Sequence, residues 1–253
     1  MKYQKIEKPN FTLQDTVTVK AYSDNVAEVT QMHYDIKPDP NVAEKKNYRT
    51  PKYKTSYSIS KELKKAREKI LTNIEPEDLE YTYFLTLTRK EISSFDEAKK
   101  AWNEYQEKLK EKYGSFKYFS FYERSKTDAY HIHALILEPN HTDRFSFIKF
   151  ESFRKMWGDG EAKISKPNDY DGLIRIAFYV TKQKNTVKIP RDEIIFEFSD
   201  DLKETPMSKP FNSEDIKDMD ELCNSSYRLY DDKNHSIDVS ISRTIYINKN
   251  LIA

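Results

Sequence analysis

The most constraining stretch of the chain is Tyr130–Leu137, read YHIHALIL. An apolar run of this length reads as a central β-strand, in which successive side chains point to opposite faces. His131 and His133 therefore share one face. Imidazoles at positions i and i+2 of a strand can grip one metal ion, and neutral imidazole is the commonest protein metal ligand. In a chain with five histidines, His-x-His is a weak motif on its own. It gains weight from an apolar strand upstream, a carboxylate just before it, and a Tyr/Lys pair on a helix after it.

The chain has 253 residues, enough for one large domain or one domain with extensions. It is 34% charged and 37% hydrophobic with only four glycines, so it is polar and rich in regular elements without being compositionally disordered. The single cysteine, Cys223, excludes a disulfide framework or a cysteine zinc site within one chain. Any metal must rest on His, Asp or Glu. The opening MKYQKIEKPN has no apolar signal core and no run approaches a membrane span, so a cytoplasmic protein with no membrane partner is expected.

The formal net charge of +1 conceals an asymmetry. Between Glu44 and Lys69 there are ten basic residues against three acidic ones, and between Arg191 and Asp238 six basic against fourteen acidic. Such a division suits a basic surface that meets phosphates and an acidic segment held elsewhere; two unrelated solvated faces are the plain alternative. Within the basic stretch, SISKELKKAREKILTNI spaces Leu63, Ala66, Ile70, Leu71 and Ile74 as one helical face, with Ser60 as candidate N-cap. Lys61, Lys64, Lys65 and Arg67 are its candidate DNA contacts.

Upstream, DTVTVKAYSDNVAEVTQMHY reads as a hairpin with strands near 15–22 and 26–34, followed by a linker or basic arm over 37–57. EYTYFLTLT, from 80 to 88, reads as a buried strand beside the histidine strand. Ser94 and Glu97 form a capping box ahead of a helix carrying Phe95, Ala98, Trp102, Tyr105, Leu109 and Tyr113, which Gly114 ends. FKYFSFY then pairs with the histidine strand as a hairpin. A helix over 143–157, a short strand over 161–165 and a helix over 171–184 follow. IIFEF and SIDVSISRTIYI read as later strands separated by an acidic, irregular stretch. The expected division is 1–57 as hairpin and arm, 58–190 as the main domain, and 191–253 as a C-terminal extension.

The order from 81 to 184 is strand, helix, hairpin, helix, strand, helix, which gives an α+β fold with a central antiparallel sheet and helices packed on one face. Glu123, at the start of the turn before the histidine strand, is the candidate third member of a His, His, Glu ligand set; an exposed turn carboxylate is the plain alternative. That donor mixture suits Mn²⁺ or Mg²⁺ and tolerates zinc. On the last helix, Tyr179 lies one turn from Lys182 and one turn from Arg175. Cations beside a phenol favour phenolate and bind phosphate, and tyrosine is a known covalent nucleophile. With a metal to polarise a phosphoryl oxygen, these groups describe phosphodiester transesterification. Among eighteen tyrosines, Tyr170 is the nearest competitor, and a surface Tyr and Lys is the plain alternative.

Taken in order, FLTLT at 84–88, Glu123 before His131-Ile132-His133, Trp157-Gly158, and Tyr179-Val180-Thr181-Lys182 resemble the motif series of rolling-circle replication initiators. These belong to the HUH endonucleases, and the phage and plasmid branch with a single Tyr-x-x-Lys is the most similar. The resemblance covers roughly residues 55 to 185 and includes the basic helix before the first motif. It implies a ferredoxin-like or RRM-like palm of about five strands. It also implies a divalent metal at His131 and His133 with Glu123, and a nucleophile at Tyr179 assisted by Lys182. The implied reaction nicks single-stranded or cruciform origin DNA, leaving a 3′-hydroxyl primer and a 5′-phosphotyrosine link in a bacterial cytoplasm. No Gly-rich phosphate-binding Lys motif occurs, so unwinding falls to a host helicase and extension to a host polymerase. Relaxases place the tyrosine before the histidines and fit poorly. A single-tyrosine transposase shares the motif order, and a non-catalytic RRM-like nucleic-acid module, with FKYFSFY as stacking aromatics, is the reading from another class.

Overall fold

A computed structural model of the chain describes residues 15–36, 53–54, 56–89, 91–124, 129–138, 150–181, 189–190, 193, 195–230 and 237–248. The described residues form ten strands and four helices. In chain order these are β1 (Asp15–Ala21), β2 (Val26–Ile36), α1 (Ser56–Asn73), β3 (Thr82–Thr88), α2 (Phe95–Tyr113), β4 (Lys117–Arg124) and β5 (Tyr130–Leu137). They continue as α3 (Phe150–Trp157), β6 (Glu161–Ser165), α4 (Tyr170–Val180), β7 (Phe196–Phe198), β8 (Lys209–Pro210), β9 (Met219–Tyr230) and β10 (Ile237–Asn248). The chain divides into two compact units, Arg49–Thr205 and a second made of Met1–Tyr48 with Pro206–Ala253.

The second unit holds a five-stranded antiparallel sheet in the order β8-β1-β2-β10-β9. The N-terminal hairpin and the last strands, set apart in the sequence analysis as two extensions, thus lie in one sheet. β9 occupies part of the stretch expected to be irregular. Its sequence, MDELCNSSYRLY, is a poor strand former, but it pairs with β10 along its length, and a ladder of backbone bonds overrides weak propensity. Within the sheet Glu28 is buried and accepts hydrogen bonds from Tyr22 Oη at 3.1 Å and Thr30 Oγ1 at 3.2 Å, with Arg243 Nε at 3.8 Å. A buried carboxylate survives only with such partners.

The unit Arg49–Thr205 is built on the antiparallel sheet β6-β3-β5-β4-β7. Alternation divides its side chains cleanly. Tyr83, Leu85 and Leu87 of β3 join Ile132, Ala134 and Ile136 of β5 in the main core, together with Ala98, Ala101, Trp102, Tyr105 and Leu109 of α2 and Phe153 and Trp157 of α3. α2 begins at the capping box expected from the sequence: Glu97 N donates to Ser94 Oγ at 3.2 Å and Ser94 N donates to Glu97 Oε2 at 3.1 Å. Gly114 closes it at φ 87°. Trp102 has no exposed surface, and truncating such a ring costs about 3–5 kcal/mol in typical cores.

α1 starts at Ser56, so Ser60 lies inside the helix instead of capping it. Its buried face is the expected one: Leu63, Ala66, Ile70, Leu71 and Ile74. Asn73 at its end exchanges two hydrogen bonds with the backbone of Lys203, at 2.6 and 3.0 Å, which ties part of the acidic stretch to this unit. α4 is capped by Asp169, whose Oδ1 accepts from Gly172 N at 2.6 Å. It buries Leu173, Ile174 and Ala177, with Ile174 in place of the expected Ile176. The N-terminal part of the helix expected over 143–157, and Lys182 to Lys184 at the end of the last expected helix, lie outside the described residues.

Candidate active site

The odd-numbered residues of β5 face away from the α2 side. In the antiparallel register His133 stands opposite Thr86 of β3 and Phe121 of β4, and His131 opposite Thr88 and Glu123. β6 extends both rows, with Lys163 opposite Thr86 and Glu161 opposite Thr88. Two rows of side chains across four strands therefore line one cleft of about 300 Å³, formed by Thr86, Thr88, Glu123, His131, His133, Glu161, Lys163 and Tyr179. Tyr179 is the one residue there not carried by the sheet. It comes from the last turn of α4, is 53% exposed, and stands edge-on to His133 with ring centroids 5.4 Å apart. Phe84 supports both rings, stacked on His133 at 5.9 Å and edge-on to Tyr179 at 6.4 Å.

Each imidazole is held by its Nδ1 atom. Thr86 Oγ1 lies 3.2 Å from His133 Nδ1, and Thr88 Oγ1 lies 2.9 Å from His131 Nδ1. His133 Nε2 lies 3.0 Å from Glu123 Oε2. Burial pushes the His133 imidazole down to about 4, and burial together with the neighbouring His133 lowers His131. Both rings are therefore neutral near pH 7. The Glu123 contact is then a hydrogen bond donated by Nε2–H to a carboxylate oxygen, not an ion pair. Neutral imidazoles with Nδ1 engaged and Nε2 toward a carboxylate are a donor set that suits a divalent ion. Among the described residues no three His, Cys, Asp or Glu side chains are already gathered as a metal cluster. A shared ion would need Glu123 to release its hydrogen bond to His133.

Trp157, Gly158 and Gly160 secure the end of β3 that carries Thr88. Trp157 Nε1 donates to Thr88 O at 3.2 Å, and the Arg89 guanidinium lies over the indole at 4.0 Å while donating to Trp157 O. Gly160 has φ 142°, and a Cβ there would run into Thr88 O. The Trp-Gly pair of the sequence motif thus contributes to the shape of the site from behind and not to its lining.

Residues 82–184 match the family model of replication-associated protein ORF2. No curated protein and no solved structure matches the chain. The match covers β3 through α4, the segment that carries every residue lining the cleft, and it supports a replication initiator with DNA as its partner. No helix among the described residues is long and apolar enough to cross a membrane.

His131, His133, Glu123 and Tyr179, the candidates of the sequence analysis, come together in one cleft. Lys182 lies outside the described residues. Arg175 is exposed one turn before Tyr179, with its Nε bound to Asp171 Oδ2 at 2.5 Å. Tyr170 is excluded as a nucleophile. It is buried, donates from Oη to Ile74 O at 3.0 Å, and burial holds its phenol far above the ordinary value. Of the helix cations, Lys61 and Lys65 are exposed and Lys64 pairs with Glu68 at 3.4 Å. Arg67 differs from expectation: it is 8% exposed and lies over the Phe178 ring at 4.3 Å, because it falls on the buried side of α1. Sequence reading misses Thr86, Thr88, Glu161 and Lys163. The available signal is Thr-x-Thr in FLTLT, which repeats the spacing of His-x-His.

Proposed function

We propose that the chain is a rolling-circle replication initiator that nicks single-stranded or cruciform origin DNA through a tyrosine. The observation that carries this reading is the Tyr179 phenol standing beside His133 in the cleft that also contains His131 and Glu123. In the proposed step the Tyr179 oxygen, as phenolate, forms a bond to the scissile phosphorus, and the bond from phosphorus to the 3′-oxygen breaks. The leaving oxygen takes a proton and becomes the 3′-hydroxyl primer, while the 5′-phosphate stays on Tyr179. His131, His133 and Glu123 would hold a divalent ion, Mn²⁺ or Mg²⁺, which supplies Lewis-acid polarisation of a phosphoryl oxygen.

The remaining tasks fall to this chain's own side chains. Phe84 fixes the edge-on geometry of Tyr179 and His133. Lys182, three residues beyond the tyrosine, is assigned to stabilising the phenolate, and Lys163 brings a cation to the cleft wall. Lys61 and Lys65 supply non-specific attraction for the phosphate backbone. Extension of the primer is left to host helicase and polymerase. The test is cleavage of single-stranded origin oligonucleotides with Mn²⁺. Wild type should cut, whereas His131→Ala, His133→Ala and Tyr179→Phe should lose cutting by at least a hundredfold with unchanged circular dichroism. Unchanged cutting in Tyr179→Phe would remove the reading.

A further inference from the structure

Two threonines and two histidines are matched across β3 and β5. Thr86 faces His133 and Thr88 faces His131, each as a direct cross-strand partner, and each pair is closed by a hydroxyl on Nδ1 at 3.2 and 2.9 Å. The spacing of two in both strands makes this a single register-locked device, since a slip of one residue would carry both hydroxyls to the α2 face. Both sides are tightly framed. β3 lies between β5 and β6, and Trp157 fastens the carbonyl of Thr88.

A hydroxyl both donates and accepts, whereas a carboxylate or carbonyl only accepts. That difference matters at His133. With Glu123 Oε2 3.0 Å from Nε2, the proton sits on Nε2, and Thr86 donates to a bare Nδ1. If Nε2 instead becomes an electron-pair donor, the proton moves to Nδ1, and the same hydroxyl rotates to accept it. The ring need not turn in either case. At His131 the Thr88 hydroxyl offers the same two roles, with Nε2 left for the cleft.

We propose that Thr86 and Thr88 are positioning residues of this site: their hydroxyls clamp Nδ1 of His133 and His131 and present Nε2 of both rings to the cleft in either tautomer. What Nε2 then holds rests on the nicking reading; the clamp itself does not. It acts through the imidazoles and touches neither substrate nor reacting atoms.

The experiment uses the full chain with ¹⁵N-labelled imidazoles, first free of metal and then titrated with Mn²⁺ alone. Valine keeps the shape of threonine and its preference for strands but removes the hydroxyl. Thr86→Val should move the Nδ1 resonance of His133 and leave His131 in place, and Thr88→Val should do the converse. Each should weaken Mn²⁺ binding by about 10- to 100-fold, and Thr86→Ser and Thr88→Ser should restore both readouts to near wild type. Valine variants with unchanged Nδ1 resonances would overturn the clamp, as would serine variants that fail to restore them. A chain that takes up no Mn²⁺ yet shows the pairwise resonance shifts would contradict the nicking site while upholding the clamp.

Discussion

At the scale of single residues, the chemistry depends on keeping His131 and His133 neutral while they sit beside a carboxylate. Burial favours the neutral ring and the Glu123 carboxylate favours the charged one; for His133 burial dominates and brings it to about 4. The sign of the resulting pH dependence follows. An unfolded chain, with an ordinary histidine near 6.5, binds a proton that the folded ring refuses until about 4. The contribution of His133 to stability is therefore fully present above about 6.5 and is lost as pH falls from there toward 4. NMR titration of the metal-free chain should show His133 titrating near 4; a midpoint above 6.5 would mean that Glu123 outweighs burial. Glu123→Ala should weaken Mn²⁺ affinity measured by calorimetry by about tenfold or more. Unchanged affinity would return Glu123 to an ordinary residue at the end of a strand.

At the scale of elements, the site is precise because strands, not loops, carry seven of its lining residues. Much of this is legible in the chain itself. Alternation in YHIHALIL puts the histidines on one face, and the capping box, the helix face around Trp102 and the glycine stop define α2. Other parts are not. Register cannot be read from either strand alone, so neither the Thr–His pairing nor the arrival of β6 with Glu161 and Lys163 is visible there. Helical spacing places Arg67 among surface cations because a basic residue reads as solvated, whereas the guanidinium packs on Phe178. β9 is hidden because Asp, Glu, Asn and Ser mask a strand whose stability comes from a distant partner. The turn after Trp157 offers an element-scale test. Gly160→Ala forces a side chain into positive φ against Thr88 O and should destabilise the unit by about 1–3 kcal/mol in urea unfolding. A loss below about 0.5 kcal/mol, the range of an ordinary surface substitution, would show that the turn relaxes freely.

At the scale of the whole molecule, the near-zero net charge separates into a basic helix and an acidic C-terminal region, so electrostatic attraction for DNA must be local. Lys61 and Lys65 are exposed on α1, in the same unit as the cleft. Reversing both to Glu should lower the slope of log affinity against log salt for single-stranded DNA by about 1.4, the share of two phosphate contacts at about 0.7 each. An unchanged slope would make that face merely solvated. The central claim is that Tyr179 becomes joined to DNA. Full-length protein is incubated with Mn²⁺ and single-stranded origin DNA, and the covalent product is mapped by peptide mass spectrometry. The account predicts a 5′-phosphodeoxynucleotide on the peptide containing Tyr179, absent in Tyr179→Phe and slower to form in Lys182→Ala; an adduct on any other residue, or no adduct with DNA that the protein cuts, would contradict it.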